Sequence, residues 1–171
     1  MKSKNPSDTE TILTDLVLPG ETNSINTLFG GELLARMDRA ASITAQRHSE
    51  KIVVTASVNH VAFKHVIPLG SIVTIKAKVS RAFNSSMEVY LDVWYTDNKF
   101  NKPVKANEAI FTFVALDENR KPIQIPEIIP ETDEEIERFS GALRRRQLSL
   151  VLAGKIKASD AVELKALFDA D

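Results

Sequence analysis

Residues 32–48, ELLARMDRAASITAQRH, decide the fold. Leu34, Met37, Ala41, Thr44 and Ala45 recur there at intervals of three and four, so they share one face of a helix. That face is rich in alanine, and small side chains let a second layer of backbone approach closely. Whatever covers the helix is therefore flat and near, and the sequence downstream supplies it.

Four strand-like stretches follow. In 53–63, Val54, Ala56 and Val58 alternate with Thr55, Ser57 and Asn59, and in 72–79 Val73, Ile75, Ala77 and Val79 take one side. In 87–95 Met87, Val89, Leu91, Val93 and Tyr95 do the same, and in 109–115 Ala109, Phe111, Phe113 and Ala115. Period two over such lengths predicts antiparallel strands with one face on a core. A looser alternation over 11–18 predicts a further strand ahead of the helix. Pro68-Leu69-Gly70, Phe83-Asn84-Ser85-Ser86 and the stretch 97–103 supply turns, so a meander-like sheet is the simplest topology. One long helix and such a sheet must bury each other, which predicts an α+β fold. Beyond Pro130 the pattern changes. Thr132 and Glu135 form a capping-box signature for a charged helix to about Gln147, and a short helix starts near Ser159. The expected organisation is a disordered 1–9, a domain over 10–126 and a helical extension over 127–171.

Composition removes several functions. A net charge of −1 from 22 basic and 23 acidic residues makes no bulk phosphate-backbone binder, so no nucleic-acid partner is expected. The absence of cysteine removes disulfides, thiolate nucleophiles and cysteine-based zinc sites. His60 and His65 stand five apart and read as surface or loop residues, so no metal is expected. The polar opening is no signal peptide and no run is long enough to span a bilayer, which predicts a cytoplasmic protein without membrane contact. There is no G-x-S-x-G, P-loop or G-x-G-x-x-G.

Three features remain. Asn23 lies in a polar loop, Gly30-Gly31 opens the helix, and Asp38 stands within it. A helix start offers unpaired N–H groups and positive partial charge, and two glycines give a ligand oxygen room to reach them. The pair also reads simply as a tight turn into the helix. Asp is a poor helix former, and Asp38 borders the apolar stripe, where a carboxylate can be raised in pKa and serve as base or nucleophile. A surface ion pair with Arg36 or Arg39 is the competing reading.

The run Thr22-Asn23-x-x-Asn26-Thr27-Leu28-Phe29-Gly30-Gly31, followed by Met37-Asp38, Arg47-His48 and Val53-Val54-Thr55-Ala56-Ser57, resembles the acyl-CoA hydrolase family of hotdog-fold thioesterases. Ser85-Ser86-Met87-Glu88-Val89 and Phe113-Val114-Ala115-Leu116-Asp117 continue the likeness, which covers about 10–126. Asn26 and Arg120 depart from it, standing where relatives often carry Asp and Gly.

The resemblance implies a hotdog fold, a long central helix wrapped by an antiparallel sheet, with the helical extension added. It implies hydrolysis of acyl-CoA to a carboxylic acid and coenzyme A, with no cofactor, since coenzyme A belongs to substrate and product. Asn23, Asp38 and Thr55 match the family's catalytic set. Asp38 would activate water or attack the carbonyl, Asn23 and the Gly31 N–H would polarise the carbonyl, and Thr55 would orient the water or Asp38. Thr55 reads equally as an ordinary strand residue. Gly30, Gly31, Arg47, Arg81, Ser85 and Ser86 are the expected substrate-binding residues. The run Arg144-Arg145-Arg146 either reaches a phosphate of coenzyme A or solvates the last helix, the second being favoured. Gly31 and Asp38 stand about 10 Å apart along a helix, too far for one thioester carbon. That predicts sites shared between subunits, in a dimer at least, with a trimer of dimers as the larger expected assembly. The rival function is a regulatory hotdog module that binds acyl-CoA without turnover.

Overall fold

The structure, a computed structural model, describes residues 1–97 and 102–168; most of the turn expected over 97–103 lies outside them. The chain divides into two compact units, Met1–Ile129 and Pro130–Asp171.

In the first unit β1 (Thr11–Leu16) leads through a loop into α1 (Gly30–Ser49), followed by β2 (Ile52–Phe63), β3 (Ile72–Ala82), β4 (Ser86–Thr96) and β5 (Pro103–Leu116). The five strands form one sheet, ordered β1-β3-β4-β5-β2 with every pairing antiparallel. The expected meander holds only for β3, β4 and β5. Between β1 and β2 the chain passes through α1 to the opposite edge, so α1 lies across the sheet that its neighbours border. Alternation tells which side of a strand is apolar and is blind to which strand lies beside it.

The core forms where the α1 stripe meets the inward side chains of β3, β4 and β5. Met37, Ala40, Ala41 and Ala45 are fully buried against a layer that includes Met87, Val89, Leu91 and Val93 from β4 and Ala109, Phe111, Phe113 and Ala115 from β5. Each large side chain removed from water stabilises the fold by about 1.5–3 kcal/mol. The alanines keep the helix close enough for Thr44 Oγ1 to donate to the Ala77 carbonyl at 3.2 Å. The stripe is rotated from its expected position: Leu33 and Ala40 are buried and Leu34 is half-buried. Arg36 is buried too, because its guanidinium donates to the Leu16 carbonyl (3.0 Å) and Glu21 (2.7 Å), tying α1 to the loop before it. The Leu18 amide and this guanidinium hold the Glu21 carboxyl below its ordinary pKa.

Residues 1–9, expected to be disordered, are ordered along the domain. They contain a 3-10 turn at Pro6–Thr9, and Lys4 bridges to Ile128. Lys4 Nζ also donates to the Arg47 carbonyl (2.8 Å) and pairs with Glu50, capping the carboxyl end of α1. Asn26 and Arg120, the two departures from the family pattern, both have positive φ (56° and 60°). Glycine is the usual occupant of that region, so Arg120 turns the chain after β5 at a conformational cost.

In the second unit α2 spans Asp133–Leu152 and α3 spans Val162–Lys165. The capping box forms as its residues require, with Thr132 Oγ1 accepting from the Glu135 amide and Glu135 from the Thr132 amide, both at 3.3 Å. Gln147 Oε1 accepts from the Leu164 amide at 2.9 Å and joins the two helices. Arg144, Arg145 and Arg146 are half-buried, and burial lowers the pKa of Arg146. None of the described helices is long and apolar enough to cross a membrane.

Candidate active site

The first turn of α1 has no side-chain cap. Phe29 occupies the capping position without a hydrogen bond from its side chain, and the helical ladder begins with the Leu33 amide on the Phe29 carbonyl at 3.1 Å. The amides of Gly30, Gly31 and Glu32 are thus the end donors a helix presents outward, where its dipole is positive. Gly30 is needed for packing as well as access: a Cβ there would stand 3.3 Å from the ring of Phe63. A Cβ on Gly31 would meet only the Phe29 ring, at 3.4 Å, and the residue is exposed.

Asn23 shapes the loop leading to this turn. Its Oδ1 accepts from the amides of Ile25 (3.1 Å) and Thr27 (3.2 Å), and its Nδ2 donates to Thr27 Oγ1 at 2.9 Å. A carboxamide carries two N–H bonds, and Thr27 takes one of them. Asn23 is half-buried.

Asp38 stands two turns along α1, half-buried, at the margin nearest β2. Thr55 Oγ1 donates to its Oδ1 at 2.8 Å, which fixes the carboxylate's rotation and leaves Oδ2 to another donor. The competing ion-pair reading fails among the described residues. Arg36 is engaged with Glu21 and Asp15, and no bond joins Arg39 to Asp38. One chain therefore unites Asp38 with Thr55 and keeps Asn23 in its own loop with Thr27.

The outer binding residues divide in the same way. Arg81 sits near the β3–β4 turn with its guanidinium 5.7 Å from the centre of the Phe83 ring, and Ser85 and Ser86 follow in that turn. Arg47 is placed elsewhere: its guanidinium donates to the Glu10 carbonyl (2.7 Å) and Thr11 Oγ1 (3.3 Å), binding the start of β1 to α1. His60 and His65 are exposed, and no group of His, Asp or Glu among the described residues is arranged to hold a metal ion. A groove lined by Gln46, Glu50, Ile52, Leu116 and Asp117 lies at the other end of α1.

His48 and Asn107 are among the buried polar residues that the sequence reading did not place inside. His48 is fully buried, its Nε2–H donating to the Pro126 carbonyl at 2.8 Å. It lies four residues after Thr44, on the stripe itself, which was the available signal. Asn107 is buried two residues ahead of Ala109 and continues the inward side of β5.

The thioesterase superfamily model matches residues 25–100. A hexameric acyl-CoA thioesterase solved without ligand is 35% identical, covers 90% of this chain and 98% of its own, and superposes with a TM-score of 0.86. The chain belongs to the hotdog-fold acyl-CoA thioesterases. Another structure in this family, the Staphylococcus aureus acyl-CoA hydrolase with butyryl coenzyme A and coenzyme A, is 36% identical over 96% of this chain and 99% of its own, with a TM-score of 0.82. The same enzyme has been solved with an aspartate, a threonine or an asparagine replaced by alanine. Mouse acyl-coenzyme A thioesterase 11 is 42% identical over 154 residues; those residues are 90% of this chain and 25% of the mouse protein. The fold of these thioesterases is the helix-and-sheet layer expected from the sequence.

Proposed function

We propose that the protein hydrolyses acyl-CoA thioesters to a carboxylic acid and coenzyme A. The observation that carries this reading is the 2.8 Å bond from Thr55 to Asp38, which holds a carboxylate oriented at the margin of α1. The uncapped start of α1, contributed by a second copy, supplies the complementary group. In this mechanism Asp38 accepts a proton from water while the water oxygen attacks the thioester carbonyl. The carbonyl oxygen gathers negative charge, which the Gly31 N–H and the second N–H of Asn23 stabilise. Collapse of the tetrahedral intermediate breaks the C–S bond, and the departing thiolate recovers a proton. Direct attack by Asp38 on the carbonyl is the variant of this scheme that would leave a transient anhydride.

Two further facts support the reading. In the Staphylococcus aureus enzyme the asparagine, aspartate and threonine replaced by alanine stand 15 and 17 residues apart in sequence. Asn23, Asp38 and Thr55 have the same two intervals. Arg81, Ser85 and Ser86 would meet the nucleotide part of coenzyme A, where a guanidinium suits phosphate. Arg47 stays outside this set, since its guanidinium is committed to β1.

Gly31 and Asp38 of one chain stand about 10 Å apart along the helix, so we place each site between two copies, with Asn23 and Gly31 from one and Asp38 and Thr55 from the other. β2 is the strand for such a meeting, being an edge with Ile52, Val54 and Val58 exposed. A trimer of such dimers is the assembly we expect.

The experiment is thiol release from a series of acyl-CoAs by wild type, Asn23→Ala, Asp38→Ala and an equal mixture of the two variants after subunit exchange. Each variant alone is expected to be nearly silent. Shared sites recover about a quarter of the wild-type rate in the mixture, because half the dimers are mixed and each holds one intact site. A mixture no more active than its components overturns the shared site. Binding of every acyl-CoA with release of thiol from none would make the protein a binding module.

A further inference from the structure

Asn107 is the one inward residue of β5 whose chemistry does not suit a core. It continues the face of Ala109, Phe111 and Phe113, is 1% exposed, and neither its Oδ1 nor its Nδ2 has a hydrogen-bond partner. A buried carboxamide that has given up water without replacement is unfavourable, and a fold retains one where something else completes it. Its cross-strand partners are Val93 in β4 and Phe63 in β2. Neither offers a polar side chain.

Position links this residue to the start of α1. Phe63 is 55% exposed, and its ring is the group a Cβ on Gly30 would touch at 3.3 Å. Directly paired residues on neighbouring strands present their side chains to the same side of a sheet, about 5 Å apart at Cα. Asn107 therefore stands one strand inward from Phe63, on the side facing the helix. The sheet is loosened at this point on both flanks, with register shifts between Val93 and Trp94 in β4 and between Asn59 and Ala62 in β2. Such irregularities are frequent next to active sites, where they re-aim a side chain.

We infer that Asn107 is a specificity residue, whose carboxamide hydrogen-bonds a hydroxyl or oxo group on the acyl chain of the substrate. The inference rests on the thioesterase reading: with the thioester carbonyl at the Gly31 amide, the acyl chain runs past Gly30 and Phe63 toward Asn107. A carboxamide offers both donor and acceptor, so hydroxyl and oxo groups both satisfy it, and a plain hydrocarbon satisfies neither. Sites built to pair with a substrate hydroxyl discriminate strongly against the analogue without it, because the buried protein group is then left unpaired.

The test pairs hexanoyl-CoA with its 3-hydroxy, 3-oxo, 5-oxo and 6-hydroxy derivatives. Thiol release gives kcat/KM for wild type and Asn107→Leu, and calorimetric titration of Asp38→Asn, with and without Asn107→Leu, gives Kd. Wild type is expected to favour at least one oxygenated chain by about tenfold or more over hexanoyl-CoA. Asn107→Leu is expected to erase that preference while keeping or raising the rate on hexanoyl-CoA; Asn107→Ala serves if the leucine variant does not fold. A wild-type protein that handles hexanoyl-CoA as well as every oxygenated chain overturns the inference, and needs no variant. A preference that survives Asn107→Leu overturns it equally. Absence of turnover on every compound defeats the thioesterase reading instead, and the Kd ratios then decide the role of Asn107 alone.

Discussion

β4 and β2 have the same kind of sequence and opposite surroundings. In β4 the apolar members Met87, Val89, Leu91 and Val93 are all at 0% exposure. In β2 the apolar members Ile52, Val54 and Val58 are 64%, 45% and 45% exposed. β4 sits mid-sheet under α1, whereas β2 is an edge with one neighbour, β5. The expected alternation of Val54, Ala56 and Val58 is also broken in β2, because a register shift between Thr55 and Ser57 turns Val58 to the side opposite Val54. Alternation thus marks apolar positions without saying what covers them. For β4 the cover is intramolecular; β2 meets α1 on one side, where Thr55 bonds Asp38, but has no strand beyond it, and an edge strand with unpaired backbone groups and apolar side chains favours pairing with another copy. The carboxylate proposed as the base is anchored to this edge through Thr55, so substitutions on the two strands should have separable consequences.

The largest contrast is kinetic. Asp38→Ala is expected to lower the rate of thiol release by about 10²–10⁴ with little change in the melting temperature. A variant that retains the wild-type rate would detach the chemistry from the β2 margin. Next is the core. Leu91→Ala should cost about 2–5 kcal/mol in urea unfolding, because it opens a cavity under α1, while the folded fraction keeps its activity. Val54→Lys puts a charge on the exposed edge. Sedimentation should then show the single chain in place of the oligomer, with chain stability changed by only about 0.5 kcal/mol and activity lost with assembly. An unchanged sedimentation coefficient would return β2 to the status of an ordinary surface.

The smallest effects come with acid and separate the two flanks of the sheet. Burial, aided by the positive charge of Lys4, lowers the pKa of His48 from 6.5, so the unfolded chain binds the proton more readily. Its contribution is complete above about pH 6.5 and declines as the pH falls below that value, and His48→Gln should flatten that slope. Lys105 and Tyr90 lower Glu108 from 4.5 to about 2. Its contribution is complete above about pH 4.5 and is lost between there and pH 2, a decline that Glu108→Gln removes. Thermal unfolding across pH 2–8 measures both.

Local pattern carried much of this into the sequence. The α1 helix and the strands were legible because periods of three to four and of two are set by backbone geometry. The rotation of the stripe toward Leu33 and Ala40 was not, since it depends on Arg36 finding Leu16 and Glu21 far away in the chain. Strand order escaped for the reason β2 illustrates. At the candidate site Asn23, Asp38 and Thr55 were recognisable as residues. That Thr55 grips Asp38 while Asn23 grips Thr27 follows only from the way β2 is laid beside α1. Asn107 was hidden by expecting β5 to begin at Ala109, two residues too late to include it.

The bridge from Lys4 to Ile128 brings the two ends of the first unit together. Lys4 N–H donates to the Glu127 carbonyl at 3.0 Å, and the Ile129 amide donates to the Lys4 carbonyl at 2.9 Å. A short linker could therefore join these ends and new termini be cut elsewhere, making a circularly permuted domain.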